Sequence, residues 1–272
     1  VEKSSSFFFA FSARIAFNGF MIWRTARRKI FFEKTLVTAI LNVTPDSFSD
    51  GGDFFSTDDA LRRAEKLIEE GADILDIGGE STRPGSQRVS AEEEIRRVVP
   101  VIESITKRFD VPISVDTTKA EVAEKSVEAG AEIINDVSGL RFDAAIGAVA
   151  AESKAGLILM HLRGSFETMH APAAPPPVKN ILRDVADGFR WSIEKAKSFG
   201  VENKQIVLDI GIGFSKTFAQ NLELLAKFDK LVAEFPDFPM LVGASRKSFL
   251  GKILNGAPVD ERLNGSLASA AI

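Results

Sequence analysis

Polar side chains recur in this chain at the points where short apolar runs stop. Asp116, Asn135 and Asp209 each close such a run, and Lys247 follows another after a short Gly-containing loop. Carboxylates only accept hydrogen bonds, whereas an amide accepts and donates. Each Asp taken singly is better explained as a cap of the following helix. Three acceptors on separate runs, with a lysine, instead favour a site for a flat heterocycle that carries an amino group and ring N–H donors along one edge.

Two loops have the composition of an anion site with its metal ion. The segment 42–52 combines Asn42, two carboxylates, several hydroxyls and paired glycines, and the segment 78–86 adds hydroxyls and Arg83. Guanidinium and backbone N–H groups bind phosphate oxygens. An amide oxygen, completed by waters and substrate phosphates, is a plausible Mg²⁺ shell. With no cysteine and only His161 and His170, a zinc site of the usual kind is improbable.

The runs that carry these residues predict a parallel sheet. Runs this short and this apolar are typical of strands covered on both faces, and polar residues at successive carboxyl ends are how a (β/α) barrel builds its active site. No GxGxxG follows the first run, which weakens the alternative of an open doubly wound sheet. The seven predicted strands are 37–41, 74–77, 113–115, 133–134, 157–160, 206–208 and 240–242.

Helix-length amphipathic segments separate the strands. Ser90 and Thr118 each precede a Glu by three residues, the arrangement of a capping box. Gly71, Gly130 and Gly200 each follow a helical stretch, as a C-terminal cap should. The predicted helices are 57–70, 90–108, 118–129, 143–152, 178–199 and 217–235, with a last one beginning near residue 260.

Length and charge agree with a single barrel enzyme. The 272 residues fit one barrel, and a net charge of −4 gives no electrostatic case for nucleic acid or anionic lipid. The sequence has no apolar stretch of the roughly 18 residues that a membrane span requires. The absence of cysteine fits a reducing compartment, so we expect the cytoplasm.

The amino-terminal region divides into two parts. We assign residues 1–19 to an extension of unknown role, for which organellar targeting stays open because the segment is basic and rich in Ser. Residues 20–34 predict a hairpin, with strands at 20–23 and 30–32 and a basic turn at 27–29, that plugs the floor of the barrel. The barrel domain is then 20–272.

Seven motifs in order and spacing resemble dihydropteroate synthase. They are ILNVTPDSFSDGG at 40–52, DIGGESTRPGS at 76–86, SVDTTK at 114–119, IINDVSG at 133–139, LMHLRG at 159–164, DIGIGF at 209–214 and GASRKSFLG at 243–251. The resemblance implies a TIM-barrel transferase of folate biosynthesis, usually a homodimer. Such an enzyme joins 4-aminobenzoate to 6-hydroxymethyl-7,8-dihydropterin diphosphate with Mg²⁺ and is a target of sulfonamides.

The family's roles carry over onto the matching positions of this sequence. The resemblance assigns the pterin pocket to Asp116, Asn135, Met160, Asp209 and Lys247. It assigns diphosphate and 4-aminobenzoate contacts to Thr82, Arg83, Pro84, Phe214 and Ser248, with Arg246 beside the lysine at the same mouth. It assigns catalysis to Asp50, Arg83 and Lys247, and Mg²⁺ to Asn42.

Two features depart from the family. Asp209-Ile210-Gly211 stands where the family usually has Asp-Pro-Gly, which loses a rigid φ but should keep the aspartate in place. The eighth strand, with the family's Arg-x-His, is absent from this chain, so we expect exposed edges on the first and seventh strands. A truncated sequence is the first explanation; the segment from Phe7 to Ala13, or a partner chain, could instead fill the gap.

Other functions stay open at this stage. One is a pterin-binding protein without synthase activity, because the Arg-x-His is missing; the intact loop at 81–86 argues against it. A corrinoid-dependent methyltransferase domain would not be expected to carry the motifs at 40–52 and 243–251. A phosphosugar barrel is disfavoured by the combination of Asp, Asn and Lys.

Overall fold

A closed eight-stranded barrel forms the centre of the protein in a computed structural model that describes residues 8–12, 21–44, 57–81, 86, 88–169, 176 and 178–271. Seven strands run parallel in sequence order, and helices cover the outside. The predicted α/β barrel is therefore confirmed. In this topology the polar carboxyl ends of the parallel strands meet at one end of the barrel.

The bounds of the elements follow the predicted runs closely. The strands are β1 (Phe8–Ser12), β2 (Ile22–Arg24), β3 (Lys29–Phe31), β4 (Leu36–Asn42), β5 (Ile74–Gly78), β6 (Ile113–Asp116), β7 (Ile133–Asp136), β8 (Gly156–Met160), β9 (Ile206–Asp209) and β10 (Met240–Val242). The helices are α1 (Thr57–Glu69), α2 (Ala91–Arg108), α3 (Ala120–Ala129), α4 (Ile146–Ser153), α5 (Ile181–Ser198), α6 (Phe218–Ala226), α7 (Phe228–Glu234), α8 (Ser248–Ile253) and α9 (Leu263–Ala271).

The eighth place in the barrel belongs to β1. This strand runs antiparallel to both neighbours, pairing Phe11 with Leu241 of β10 and Ala10 with Val37 of β4. The expectation of open edges on the first and seventh strands is therefore wrong. Within the residues that the structure describes no eighth parallel strand is present. The alternative that the segment from Phe7 to Ala13 fills the gap is confirmed for residues 8–12, which pair with both edges and belong to the extension to which we had assigned no role.

The predicted hairpin closes the opposite end. β2 and β3 pair with each other, and Trp23 on β2 is fully buried against the lowest layer of the barrel interior. Its indole N–H donates to the carbonyl of Gln205 at 2.7 Å. Thr25 and Arg28 both bond the carboxylate of Glu132, at 2.8 and 2.7 Å. The hairpin thus plugs the floor, and hydrogen bonds from Trp23, Thr25 and Arg28 tie it to the barrel.

The first residues of α2 and α3 test the capping boxes predicted at Ser90 and Thr118. Ser90 caps α2 by accepting from the N–H of Glu93 at 3.2 Å, as predicted. Thr118 does not cap α3; the helix begins one residue after Lys119, and Asp143 accepts from the N–H of Ala120 instead. Tertiary contact therefore replaced the local capping box there.

Two other helix predictions need correction. The segment 217–235 is two helices, α6 and α7, which meet at Lys227. The short helix α8 was not predicted, and it begins inside the motif at 243–251.

Gly71, Gly130 and Gly200 adopt positive φ, which confirms them as helix ends. No helix in the described ranges is long and apolar enough to cross a membrane.

Candidate active site

One cavity of about 620 Å³ opens at the carboxyl ends of the parallel strands. Nine of the thirteen residues singled out from the sequence lie within the described part, and all nine line this cavity. They are Asn42, Asp116, Asn135, Met160, Asp209, Phe214, Arg246, Lys247 and Ser248. The other four, Asp50, Thr82, Arg83 and Pro84, lie outside the described residues.

Strand register explains how distant residues meet. Asn42 is opposite Gly78, Gly78 is opposite Asp116, and Asp116 is opposite Asn135. These four positions form one row across β4 to β7, at the carboxyl ends of the strands. Because Gly78 has no side chain, it leaves an opening in that row between the amide of Asn42 and the carboxyl of Asp116.

The opening beside Gly78 fits the chemistry of a magnesium ion held largely by waters and phosphate. A Cβ placed on Gly78 would lie 3.7 Å from Asn42 Oδ1 and 3.7 Å from Asp116 Oδ2. Mg²⁺ takes oxygen ligands and keeps several waters, so one amide oxygen is a reasonable protein contribution. Among the described residues no group of three or more His, Cys, Asp or Glu side chains could hold a metal ion by itself.

The floor and wall of the cavity concentrate negative charge. Enclosure raises the pKa of Asp116 well above its ordinary value, and the nearby charge of Asp76 raises it further. Burial also raises the pKa of Asp76 to about 6, although Ser114 and Asn135 favour its charged form. Acceptors crowded in this way gain when a ligand brings N–H donors between them.

A lysine faces these carboxyls from the last parallel strand. Burial raises the pKa of Asp209, and the charge of Lys247 opposes that shift. Burial lowers the pKa of Lys247 to about 8. The Lys247 ammonium donates to the carbonyl of Ile212 and lies 4.6 Å from the centre of the Phe214 ring. Lys247 is therefore close both to the carboxyl group of Asp209 and to the aromatic ring of Phe214.

Arginines line the outer part of the cavity. Arg246 has a positive φ of 51°, and its backbone is held from both sides by the α9 region: Ser266 Oγ accepts from its N–H, and Arg262 donates to its carbonyl. Arg262 lines the cavity as well and was not predicted from the sequence. Backbone strain of this kind persists where surrounding contacts fix it, and it is common at binding sites.

A buried lysine that sequence reasoning missed holds the loop after β9. Lys216 Nζ donates to the carbonyls of His161, Gly211 and Phe214, at 3.1, 2.7 and 3.3 Å. Gly211 has φ 62°, and a Cβ there would lie 2.2 Å from the His161 carbonyl oxygen. The glycine is therefore required, and Asp209 keeps its place by accepting from the Gly211 N–H at 2.8 Å.

Asp76, like Arg262 and Lys216, was not singled out from the sequence. It lines the cavity, is 1% exposed, and accepts a hydrogen bond from Asn135 Nδ2 at 2.9 Å. The signal available in the sequence was an acidic residue that interrupts the apolar run 74–77. Asp76 lies inside β5, whereas the predicted acceptors were polar residues at the ends of apolar runs.

His161 does not line the cavity. It is buried, with Nε2 3.4 Å from a carboxylate oxygen of Asp184 on α5, and burial lowers its pKa to about 4. His170 lies outside the described residues.

Comparisons with known proteins agree with the fold and the motifs. Residues 38–272 match the family model described as pterin binding enzyme. A dihydropteroate synthase from Escherichia coli strain K12 is 47% identical over 238 residues, which are 87% of this chain and 81% of the relative.

Solved structures show the same likeness. One is a Xanthomonas albilineans dihydropteroate synthase with 4-aminobenzoic acid: TM-score 0.82, 38% identity, 91% of this chain and 87% of the other. Another is a Yersinia pestis dihydropteroate synthase in a sulfonamide drug complex: TM-score 0.82, 41% identity, 92% of this chain and 88% of the other. The chain belongs to the dihydropteroate synthase family of pterin-binding enzymes.

Proposed function

We propose that this protein joins 4-aminobenzoate to 6-hydroxymethyl-7,8-dihydropterin diphosphate, giving 7,8-dihydropteroate and pyrophosphate. The observation that carries the proposal is the convergence of Asp116, Asn135 and Asp209 from three strands on one cavity, with Lys247 facing them. This arrangement matches the ring edge of a pterin, whose amino group and ring N–H are donors. Family membership at high coverage supports synthesis rather than pterin binding alone.

The pterin would lie deep in the cavity. Asp116 and Asp209 would accept from the amino group and the ring N–H, and Lys247 would donate to a ring carbonyl or ring nitrogen. Met160, 2% exposed, would cover one face of the ring. Because the carboxyls are crowded and their pKa values are raised, the donors of the ring relieve an unfavourable concentration of charge.

The reacting carbon would then lie near the mouth. Here the carbon–oxygen bond to diphosphate breaks, and a new bond forms to the amine nitrogen of 4-aminobenzoate, which loses one proton. An aromatic amine is already neutral at pH 7, so a strong general base is unnecessary. We assign Arg246 to the anionic end, with Thr82 and Arg83 as predicted partners and Asp50 as the predicted stabiliser of the cationic carbon.

The second substrate has an apolar wall available to it. Phe214 is 8% exposed, lines the cavity and stacks against Lys247. We assign 4-aminobenzoate to the space between Phe214 and Ser248, with Pro84 as a predicted contact. Lys216 would keep this wall in position through its bonds to the same loop. The Yersinia pestis relative in a sulfonamide complex supports sensitivity of this subsite to sulfonamides.

Mg²⁺ is proposed as the metal, with Asn42 as its protein ligand beside the opening at Gly78. When bound there, it would neutralise charge that develops on the departing diphosphate. A homodimer and a cytoplasmic location stay predictions.

The decisive assay is release of pyrophosphate by the purified protein. We expect release only when the pterin diphosphate, 4-aminobenzoate and Mg²⁺ are all present. Calorimetry with the pterin should be run in parallel. Pterin binding without any pyrophosphate release would instead support the alternative of a binding protein that lacks synthase activity.

A further inference from the structure

Asp76 occupies a layer beneath the predicted pterin acceptors. It lies two residues before Gly78 on β5, so both point to the inside of the barrel, and it is opposite Ser114 in the sheet register. Its side chain lines the lower part of the cavity. A carboxyl group inside a barrel, 1% exposed and without a cation bonded to it among the described residues, needs a reason to be there.

One oxygen of Asp76 fixes the orientation of a neighbouring amide. Asn135 Nδ2 donates to Asp76 Oδ2 at 2.9 Å. A carboxylate only accepts, so the nitrogen end of the amide must turn toward it. The oxygen end of Asn135 is then directed to the remaining space of the cavity, where it can act only as an acceptor.

The surroundings of Asp76 hold further polar atoms that the fold does not pair. Thr38 Oγ1, Asp76 Oδ1 and Ser114 Oγ are buried on three neighbouring strands and have no hydrogen-bond partner among the described residues. Ser114 is near enough for its hydroxyl to favour the charged form of Asp76, without hydrogen-bond geometry. More than nine in ten buried polar groups are normally paired, so three together mark a place adapted to a ligand or to water.

We propose that Asp76 is a positioning residue of this pocket, which holds the Asn135 amide with its oxygen toward the ligand and thereby selects a ring edge that carries N–H donors. The proposal rests on the function proposed above, because the ligand is the pterin. It goes beyond that function by assigning the selection to a residue that need not touch the ring. The three unpaired atoms below would hold a water molecule in contact with the same edge.

Two substitutions separate positioning from space filling. Asp76→Leu keeps a similar volume but gives Asn135 no acceptor. Asp76→Asn keeps an oxygen that can still accept. We expect pterin affinity, measured by calorimetry, to fall about 10- to 100-fold in Asp76→Leu, the range of one hydrogen bond to a charged group, and to recover largely in Asp76→Asn.

A spectroscopic readout follows the amide itself. In ¹H–¹⁵N spectra the Asn135 side-chain NH₂ signal, assigned through Asn135→Asp, should exchange slowly with solvent in the wild type and in Asp76→Asn, and quickly in Asp76→Leu. Asp136→Asn is the matched control. Asp136 is also buried on β7, but it bonds the N–H groups of Ser138 and Leu140 and does not line the cavity.

The outcomes distinguish this inference from the proposed function. If Asp76→Leu binds the pterin as the wild type does, with an unchanged Asn135 signal, Asp76 only fills space and the inference is wrong. If the wild type itself binds no pterin, both the inference and the proposed function are wrong. Unfolding by urea checks that each variant remains folded. An equal loss of affinity in Asp136→Asn would indicate a general effect on β7 and would also contradict the inference.

Discussion

The buried hydroxyl groups at the two ends of the barrel differ in their hydrogen bonding. At the floor, the indole of Trp23 and the hydroxyl of Thr25 each have a hydrogen-bond partner. In the layers below the mouth, the hydroxyls of Thr38 and Ser114 and one oxygen of Asp76 have none among the described residues. Paired polar atoms stabilise a fold, whereas unpaired ones cost free energy that a ligand can recover. The floor is therefore built for stability and the mouth for binding.

The largest effect on pterin binding should come from a substitution at the mouth of the barrel. Asp209→Ala removes an acceptor of the predicted pterin site and the bond that orients Gly211. We expect pterin binding to be abolished in calorimetry, because the neighbouring acceptors cannot replace this one. Asp187→Ala, at an exposed site on α5, is the control and should bind normally. Unchanged pterin affinity in Asp209→Ala would remove this carboxyl from the site.

The floor should respond in stability instead. Trp23 is fully buried, so Trp23→Ala should lower the free energy of unfolding by about 3–5 kcal/mol, measured in urea. Pterin affinity measured well below the unfolding transition should change little, because the cavity is at the other end. A large loss of affinity without loss of stability would break the division between the two ends.

The pH dependence of binding tests the crowded carboxyls. Burial raises the pKa of Asp76 to about 6, and the pKa values of Asp116 and Asp209 are raised as well, while Lys247 opposes the shift at Asp209. The ligand needs Asp116 and Asp209 ionised, so affinity should be constant at pH values above their raised pKa values and should weaken as the pH falls through them. Titration calorimetry in buffers from acid to neutral pH measures this. A flat profile would show that protonation of these groups is not linked to binding.

The smallest effect compares one hydroxyl from each end. Thr25→Val removes one hydrogen bond from the buried carboxylate of Glu132, which keeps only those from Arg28, and should cost about 1–2 kcal/mol of unfolding free energy. Ser114→Ala removes a hydroxyl that has no hydrogen-bond partner in the described part, and should cost less than about 0.5 kcal/mol. Equal costs in urea unfolding would contradict the contrast between the two ends.

Most of the barrel could be predicted because buried parallel strands have a recognisable sequence pattern. Each one is a short apolar run, and four of the polar residues at the carboxyl ends, Asn42, Asp116, Asn135 and Asp209, line the same cavity. β1 could be named only as one of several ways to fill the gap in the barrel, because its residues Phe8 to Ser12 are mostly apolar like many others and its pairing depends on strands far away in the chain. The cap of α3 was likewise set by a tertiary contact, since Asp143 accepts from the N–H of Ala120.

The sequence predicted the site residues that lie at the carboxyl ends of strands or in the motifs that follow them. Asp76 and Lys216 were missed because their roles depend on burial and on backbone carbonyls, which no motif records. Arg262 was missed because it enters the cavity from a segment that follows the last strand. Residues that touch a ligand directly leave signals at strand ends, whereas residues that position them do not.

A crystal structure of the protein with a bound pterin tests the central claim most directly. We expect the edge that carries the amino group and the ring N–H to lie within about 2.7–3.2 Å of oxygens of Asp116, Asn135 and Asp209, with Lys247 on a ring acceptor. A ring found outside this cavity, or turned with that edge toward the mouth, would contradict the account.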